Sequence, residues 1–121
     1  FPPEEYARNM ERVMQSLIGY GVVPVLTTFT IANDYEYAGP TPEYLGVMRQ
    51  VAASLDLPLI DFHRAAATLP HRGTGEDGAH LSFPEVHRVA FTGDQYLYGT
   101  TLRELLTLRT LHELRVNAFG M

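Results

Sequence analysis

The chain has 121 residues, 45% of them hydrophobic, a formal net charge of −5 and no cysteine. That length suits one domain or a large part of one, and the apolar fraction supports a buried core and excludes disorder. The negative charge and nine scattered basic residues exclude a nucleic-acid surface, the missing cysteines exclude disulfides and thiolate metal sites, and no apolar run approaches the roughly 20 residues of a spanning helix.

In chain order, Pro2-Pro3 followed by Glu4-Glu5 is a helix start: proline loses nothing in a first turn, and acids there suit the helix dipole. Tyr6, Met10, Val13, Met14, Leu17 and Ile18 recur at three- and four-residue spacing, which predicts an amphipathic helix over 3–20 ending at Gly19 or Gly21. The Met10–Met14 pair reads as core, and Glu4, Glu5 and Glu11 as a solvated face. Val22 to Phe29 is a β-branched run without alternation, as in a strand covered on both faces, although Pro24 removes one ladder donor.

Residues 30–41 lack periodicity and read as a long loop. It carries Asn33, Asp34, Tyr35, Glu36 and Tyr37. With Tyr44, the aromatic and acidic residues form either the wall of a site or ordinary loop packing. Thr41 and Pro42 open a second helix whose buried face is Leu45, Met48, Val51, Ala52 and Leu55. A second short strand follows over Leu57–Phe62, then a short helix over Arg64–Thr68. Pro70 to Gly99 is irregular, and Thr101–Val116 closes the chain as a helix with Leu102, Leu105, Leu108 and Leu111 toward the core. Helices alternating with strands imply parallel crossovers and an α/β architecture. Two strands alone leave an open sheet edge, so the sheet is expected to be incomplete and the isolated chain to self-associate through that edge.

Asp77 and His80 stand out within Gly75-Glu76-Asp77-Gly78-Ala79-His80-Leu81-Ser82. Gly78 permits a tight turn, so a carboxylate and an imidazole can be presented together. Such a histidine can act as general base toward a serine hydroxyl while the aspartate orients it. The competing reading is a turn aspartate beside a surface histidine. A metal reading is open on paper, since Asp61, His63, His71, Glu76, His80 and His87 could converge, but their spacing fits no common ligand pattern. Neither a cofactor nor a metal is assigned.

The block Asp77-Gly78-Ala79-His80-Leu81-Ser82 resembles the last sequence block of SGNH (GDSL-type) hydrolases, which carries Asp-x-x-His just before the C-terminal helix. Tyr6-Ala7-Arg8-Asn9-Met10, Pro24-Val25-Leu26-Thr27-Thr28, Pro58-Leu59-Ile60-Asp61 and the tail Tyr98 to Leu106 are similar to the elements around it. The resemblance covers nearly the whole chain, with only the Asp-x-x-His block specific. It implies a flavodoxin-like three-layer α/β/α sandwich with a parallel sheet, of which residues 1–121 are the C-terminal portion lacking the N-terminal strands. It also implies hydrolysis of acetyl or short acyl esters on a small molecule, carbohydrate or lipid, with His80 as base and Asp77 as its orienting partner.

The family's Gly-Asp-Ser nucleophile and oxyanion-hole blocks have no counterpart here. Asn33-Asp34 follows the strand it would have to precede. Ser16 and Ser54 lie in predicted helices, and Ser82 lies two residues past His80. The nucleophile is therefore expected outside the chain, and the 121 residues alone are expected to be inactive. The alternative is a non-catalytic α/β interaction or carbohydrate-binding module in which the Asp77–His80 pair is incidental.

Overall fold

The computed structural model describes residues 2–31, 41–86 and 88–120. It is mixed α/β, mostly helical, with a single two-stranded parallel sheet among the described residues. The chain divides into two compact units. One takes in the described residues through Phe29 together with 41–61; the other takes in Thr30, Ile31 and the residues from Phe62 onward.

The first unit begins with α1, Pro3–Gly19. Its start follows the sequence signals, with Pro2 at the N-cap, Pro3 in the first turn and Glu4 and Glu5 beside it. Its end is a Schellman motif at Gly21, which has a φ of +81°. The Gly21 N–H donates to the Ile18 carbonyl (2.9 Å) and the Val22 N–H to that of Leu17 (3.0 Å), so carbonyls orphaned by the helix end are satisfied. Helix α2, Thr41–Ser54, ends the same way with Asp56 at φ +53°. There the Asp56 N–H reaches the Ala53 carbonyl (3.3 Å) and the Leu57 N–H that of Ala52 (2.8 Å).

Strands β1 (Leu26–Thr27) and β2 (Leu59–Ile60) pair in parallel, Leu26 opposite Leu59 and Thr27 opposite Ile60. With α2 between them in sequence they form a βαβ unit. The predicted strands over 22–29 and 57–62 are both shortened to two residues. In the first, Pro24 has no N–H to give, and Val22 and Val23 are left exposed before it. The core is Met14, Leu26, Val51 and Ala52, with Met10, Leu17, Val47, Leu55, Leu57 and Leu59 packed against it. Of the predicted α1 stripe, Val13 and Ile18 lie outside this core and are exposed. Tyr44, the described member of the predicted aromatic loop set, meets the Tyr6 ring edge-on at 4.9 Å.

The second unit contains α3 (Phe62–Ala66), a 3-10 turn at Pro70–Gly73, another at Asp94–Tyr96, and α4 (Gly99–Glu113), which runs into a π-helical turn over Leu114–Ala118. Its buried residues include Phe62, Ala66, Leu69, Thr74 and Thr101. The face predicted for α4 is corrected here. Leu102 and Leu105 are half-buried, whereas Leu108 and Leu111 are exposed. Packing of α3 and the two 3-10 turns against α4 buries Gly99 and Thr101 at its first turn, not the leucine row. No described helix is long and apolar enough to cross a membrane.

These burial differences set a test. Leu26→Ala removes a side chain only 5% exposed and is expected to cost about 2–4 kcal/mol in denaturant unfolding. Val13→Ala, at a position 53% exposed, is expected to change stability by less than about 0.5 kcal/mol. Equal losses would contradict the core described.

Candidate active site

The segment around Asp77 and His80 is a narrow arch. Thr74 and Leu81 form an antiparallel bridge at its base, and the Gly75 N–H donates to the His80 carbonyl (2.8 Å). Gly78 turns the chain at φ +70°, a left-handed conformation that strongly favours glycine. At the tip, one carboxylate does two things. Asp77 Oδ1 accepts the N–H groups of Ala79 and His80, each at 3.0 Å, while Oδ2 holds His80 Nδ1. The Asx-type turn therefore shapes the arch with the same group that grips the imidazole.

The His80 side chain is 90% exposed and that of Asp77 50% exposed. Nδ1 faces the carboxylate, so Nε2 is the nitrogen left to solvent, with no partner among the described residues. The His80 hydrogen bond, followed by the two backbone N–H bonds, pulls the Asp77 carboxyl down to about 2. The same hydrogen bond, and then the carboxylate's charge, raise the His80 imidazole above its ordinary value. Asp77 thus stays ionised at any working pH, and the imidazolium is stabilised.

The arch is fastened to α4 by Ser82 and two glycines. Ser82 donates its N–H (2.9 Å) and its hydroxyl (3.3 Å) to the Gly73 carbonyl. Its hydroxyl oxygen accepts the Gly99 N–H (3.0 Å) and its carbonyl the Thr100 N–H (3.1 Å). A serine seventeen residues upstream thus satisfies the first donors of a helix whose N-cap, Tyr98, has no side chain to do so. The contact requires glycine: a Cβ on Gly99 would stand 2.1 Å from the Gly73 carbonyl oxygen.

The other sequence candidates have surroundings of their own. Asp61 is taken by Arg49, Nε to Oδ2 and Nη2 to Oδ1 at 3.0 Å each, and by the Thr28 hydroxyl at 2.9 Å. His63 lies in α3 and His71 in the first 3-10 turn. No three histidine, aspartate or glutamate side chains converge as metal ligands among the described residues. His87 and the Asn33–Tyr37 stretch lie outside the described residues. Ser54 bonds the Val51 carbonyl within α2, and the Ser82 hydroxyl is committed as above.

Sequence reasoning missed the Ser82 anchor and a bidentate pair in which Arg88 Nε and Nη2 donate to Asp94 at 2.9 and 3.0 Å. Ser82 carried a legible hint, since a serine close to an aspartate–histidine turn invites a search for uncapped helix donors downstream. No family model, no curated protein and no solved structure matches the chain.

Two measurements check this geometry. Asp77→Asn keeps an Oδ1 acceptor for the turn but removes the charge, so the NMR titration midpoint of His80 is expected to fall. An unchanged midpoint would mean the carboxylate does not act on the ring. The sign extends to stability. The raised His80 value stabilises the fold at low pH and loses its effect as pH rises through that value. The lowered Asp77 value stabilises above the ordinary carboxylate range and is lost as pH falls toward about 2. Separately, Gly99→Ala is expected to destabilise by about 2 kcal/mol or more, because backbone must move. Gly46→Ala, in α2 with nothing within 4 Å, is expected to stabilise by about 0.5–1 kcal/mol. Matching effects at the two glycines would refute the close contact.

Proposed function

We propose that the chain supplies the acid–base end of a serine ester hydrolase of the SGNH type, with His80 as general base and Asp77 as the residue that orients it. The observation that carries the reading is the shared Asp77 carboxylate: it fixes the Nδ1 tautomer of His80 and leaves Nε2 outward. In this reading Nε2 takes the proton of a serine hydroxyl as it attacks the ester carbonyl, then returns it to the departing alcohol, while Asp77 stays ionised and stabilises the imidazolium. The substrate is an acetyl or short acyl ester.

The nucleophile and the oxyanion donors belong to sequence outside these residues. The fuller architecture, a three-layer sandwich on a parallel sheet, is part of the same proposal. Two features support it. The βαβ unit of β1, α2 and β2 is the repeating element of such sandwiches. In addition, Val13, Ile18, Val22, Val23 and Phe29 are exposed in the first unit, apolar surface of the kind further strands and helices would cover.

The test joins the chain to an upstream segment bearing the Gly-Asp-Ser and oxyanion-hole blocks and measures hydrolysis of p-nitrophenyl acetate. Activity is expected in the joined protein and not in the 121 residues alone, rising with pH through the His80 midpoint. His80→Ala is expected to lower it by on the order of 10³-fold or more. Equal rates with and without His80 would end the assignment and favour a non-catalytic module.

A further inference from the structure

Helix α4 carries a row of side chains that the rest of the chain leaves open. Glu104, Leu108, Leu111 and Arg115 follow one another at intervals of four, three and four residues, the spacing that keeps side chains on one stripe of a helix. Leu108 and Leu111 are 53% and 56% exposed. Arg115, in the π-helical turn that continues α4, is exposed, and Glu104 is half-buried. Among the described residues, neither Glu104 nor Arg115 has a hydrogen-bond or ion-pair partner within the chain.

The order of these residues is symmetric. Leu108 and Leu111 lie equally far from the midpoint between Arg109 and Thr110, and so do Glu104 and Arg115. Two copies laid antiparallel about that midpoint put Leu108 opposite Leu111 and Glu104 opposite Arg115, and each pairing occurs twice. Half-buried Leu105 and Leu114 meet by the same rule. The other charged side chains meet no like charge: Arg103 falls opposite Val116, Arg109 opposite Thr110 and Glu113 opposite Leu106.

Other occupants fit this row less well. A parallel copy sets Glu104 against Glu104 and Arg115 against Arg115, and like charges repel. Sliding an antiparallel copy by one heptad sets Leu108 against Glu104 in one direction and Leu111 against Arg115 in the other. A sheet face laid on the row would cover both charged ends without bonding them, which burial penalises.

We propose that α4 is the interface of a homodimer whose two copies pair antiparallel along Glu104, Leu108, Leu111 and Arg115. The leucines supply the attraction, and the Glu104–Arg115 ion pairs at both ends fix direction and register. This interface is independent of the hydrolase reading, and it is a different surface from the open edge of the β1–β2 sheet.

Sedimentation equilibrium of the full chain is expected to show monomer and dimer with a Kd on the order of 10–100 µM, as suits a seam about 17 Å long. Leu111→Asp, at an exposed position, is expected to weaken the dimer about thirtyfold or more. Glu104→Arg or Arg115→Glu alone puts like charges at both ends and is expected to weaken it about tenfold. The double variant, and an equimolar mixture of the two single variants, are each expected to restore it. In the unmodified chain, isotope-filtered NMR on a mixed-label sample is expected to show contacts between Leu108 methyls of one copy and Leu111 methyls of the other. A monomer across the whole concentration range would overturn the proposal. So would a dimer that survives Leu111→Asp, as pairing through the sheet edge would. Charge variants that stay weak when combined, or missing Leu108–Leu111 contacts between copies, would overturn it as well.

Discussion

The close approach of Gly73 to Gly99 is the constraint on which the second unit depends. Two segments can touch there because Gly99 carries no Cβ, which would otherwise run into the Gly73 carbonyl oxygen. Ser82 then closes the contact with four hydrogen bonds, two to Gly73 and one each from Gly99 and Thr100. Those bonds use donors that the start of α4 would otherwise leave unpaired. An exposed loop, ordinarily among the more mobile parts of a fold, is in this way rooted in a fifteen-residue helix. The Asp77–His80 pair grows from that root, just before Ser82.

Because the root is fixed, the tip needs little burial. His80 is almost fully exposed, so desolvation scarcely perturbs it, and its raised pKa follows from Asp77 alone in direction and cause. Geometry, not a dry environment, is what the loop provides. One carboxylate sets the tautomer of the ring and leaves Nε2 outward while bonding two backbone N–H groups. The hydrogen bond with His80, and after it the bonds from two backbone N–H groups, explain why Asp77 lies so far below an ordinary carboxylate.

Much of this was legible in the residues, and the illegible parts share a cause. Pro3, Glu4 and Glu5 announced α1, and Leu45, Met48, Val51 and Ala52 gave the buried face of α2 as found. Asp77, Gly78 and His80 gave the arch, because turn chemistry acts over three residues. The leucine row of α4 misled: periodicity says that a face is apolar but not that anything packs on it, and Leu108 and Leu111 are exposed. Strand lengths also escaped, since an apolar run cannot show how many of its residues find a ladder partner; only two in each run do. Ser82 with Gly99 and Arg88 with Asp94 join residues through tertiary placement, which local pattern does not encode.

Residues leading into the arch show how far the local pattern is overridden. His71, Arg72 and Gly73 are all left-handed, at φ values of 49°, 55° and 76°. For the two that carry side chains this costs roughly 1–2 kcal/mol each. Neither residue type prefers the conformation, so the surrounding bonds must impose it. The Arg72 N–H reaches back to the Leu69 carbonyl (3.0 Å), and the His71 carbonyl accepts both the N–H (3.0 Å) and the hydroxyl (2.6 Å) of Thr74. The Arg72 carbonyl accepts the hydroxyl of Thr30, 42 residues earlier in the chain. The reversal they hold delivers Gly73 onto Gly99 with its carbonyl toward Ser82. The orientation of the Asp77–His80 arch therefore depends on a buried threonine far upstream in sequence, through a turn the intervening residues would not adopt alone.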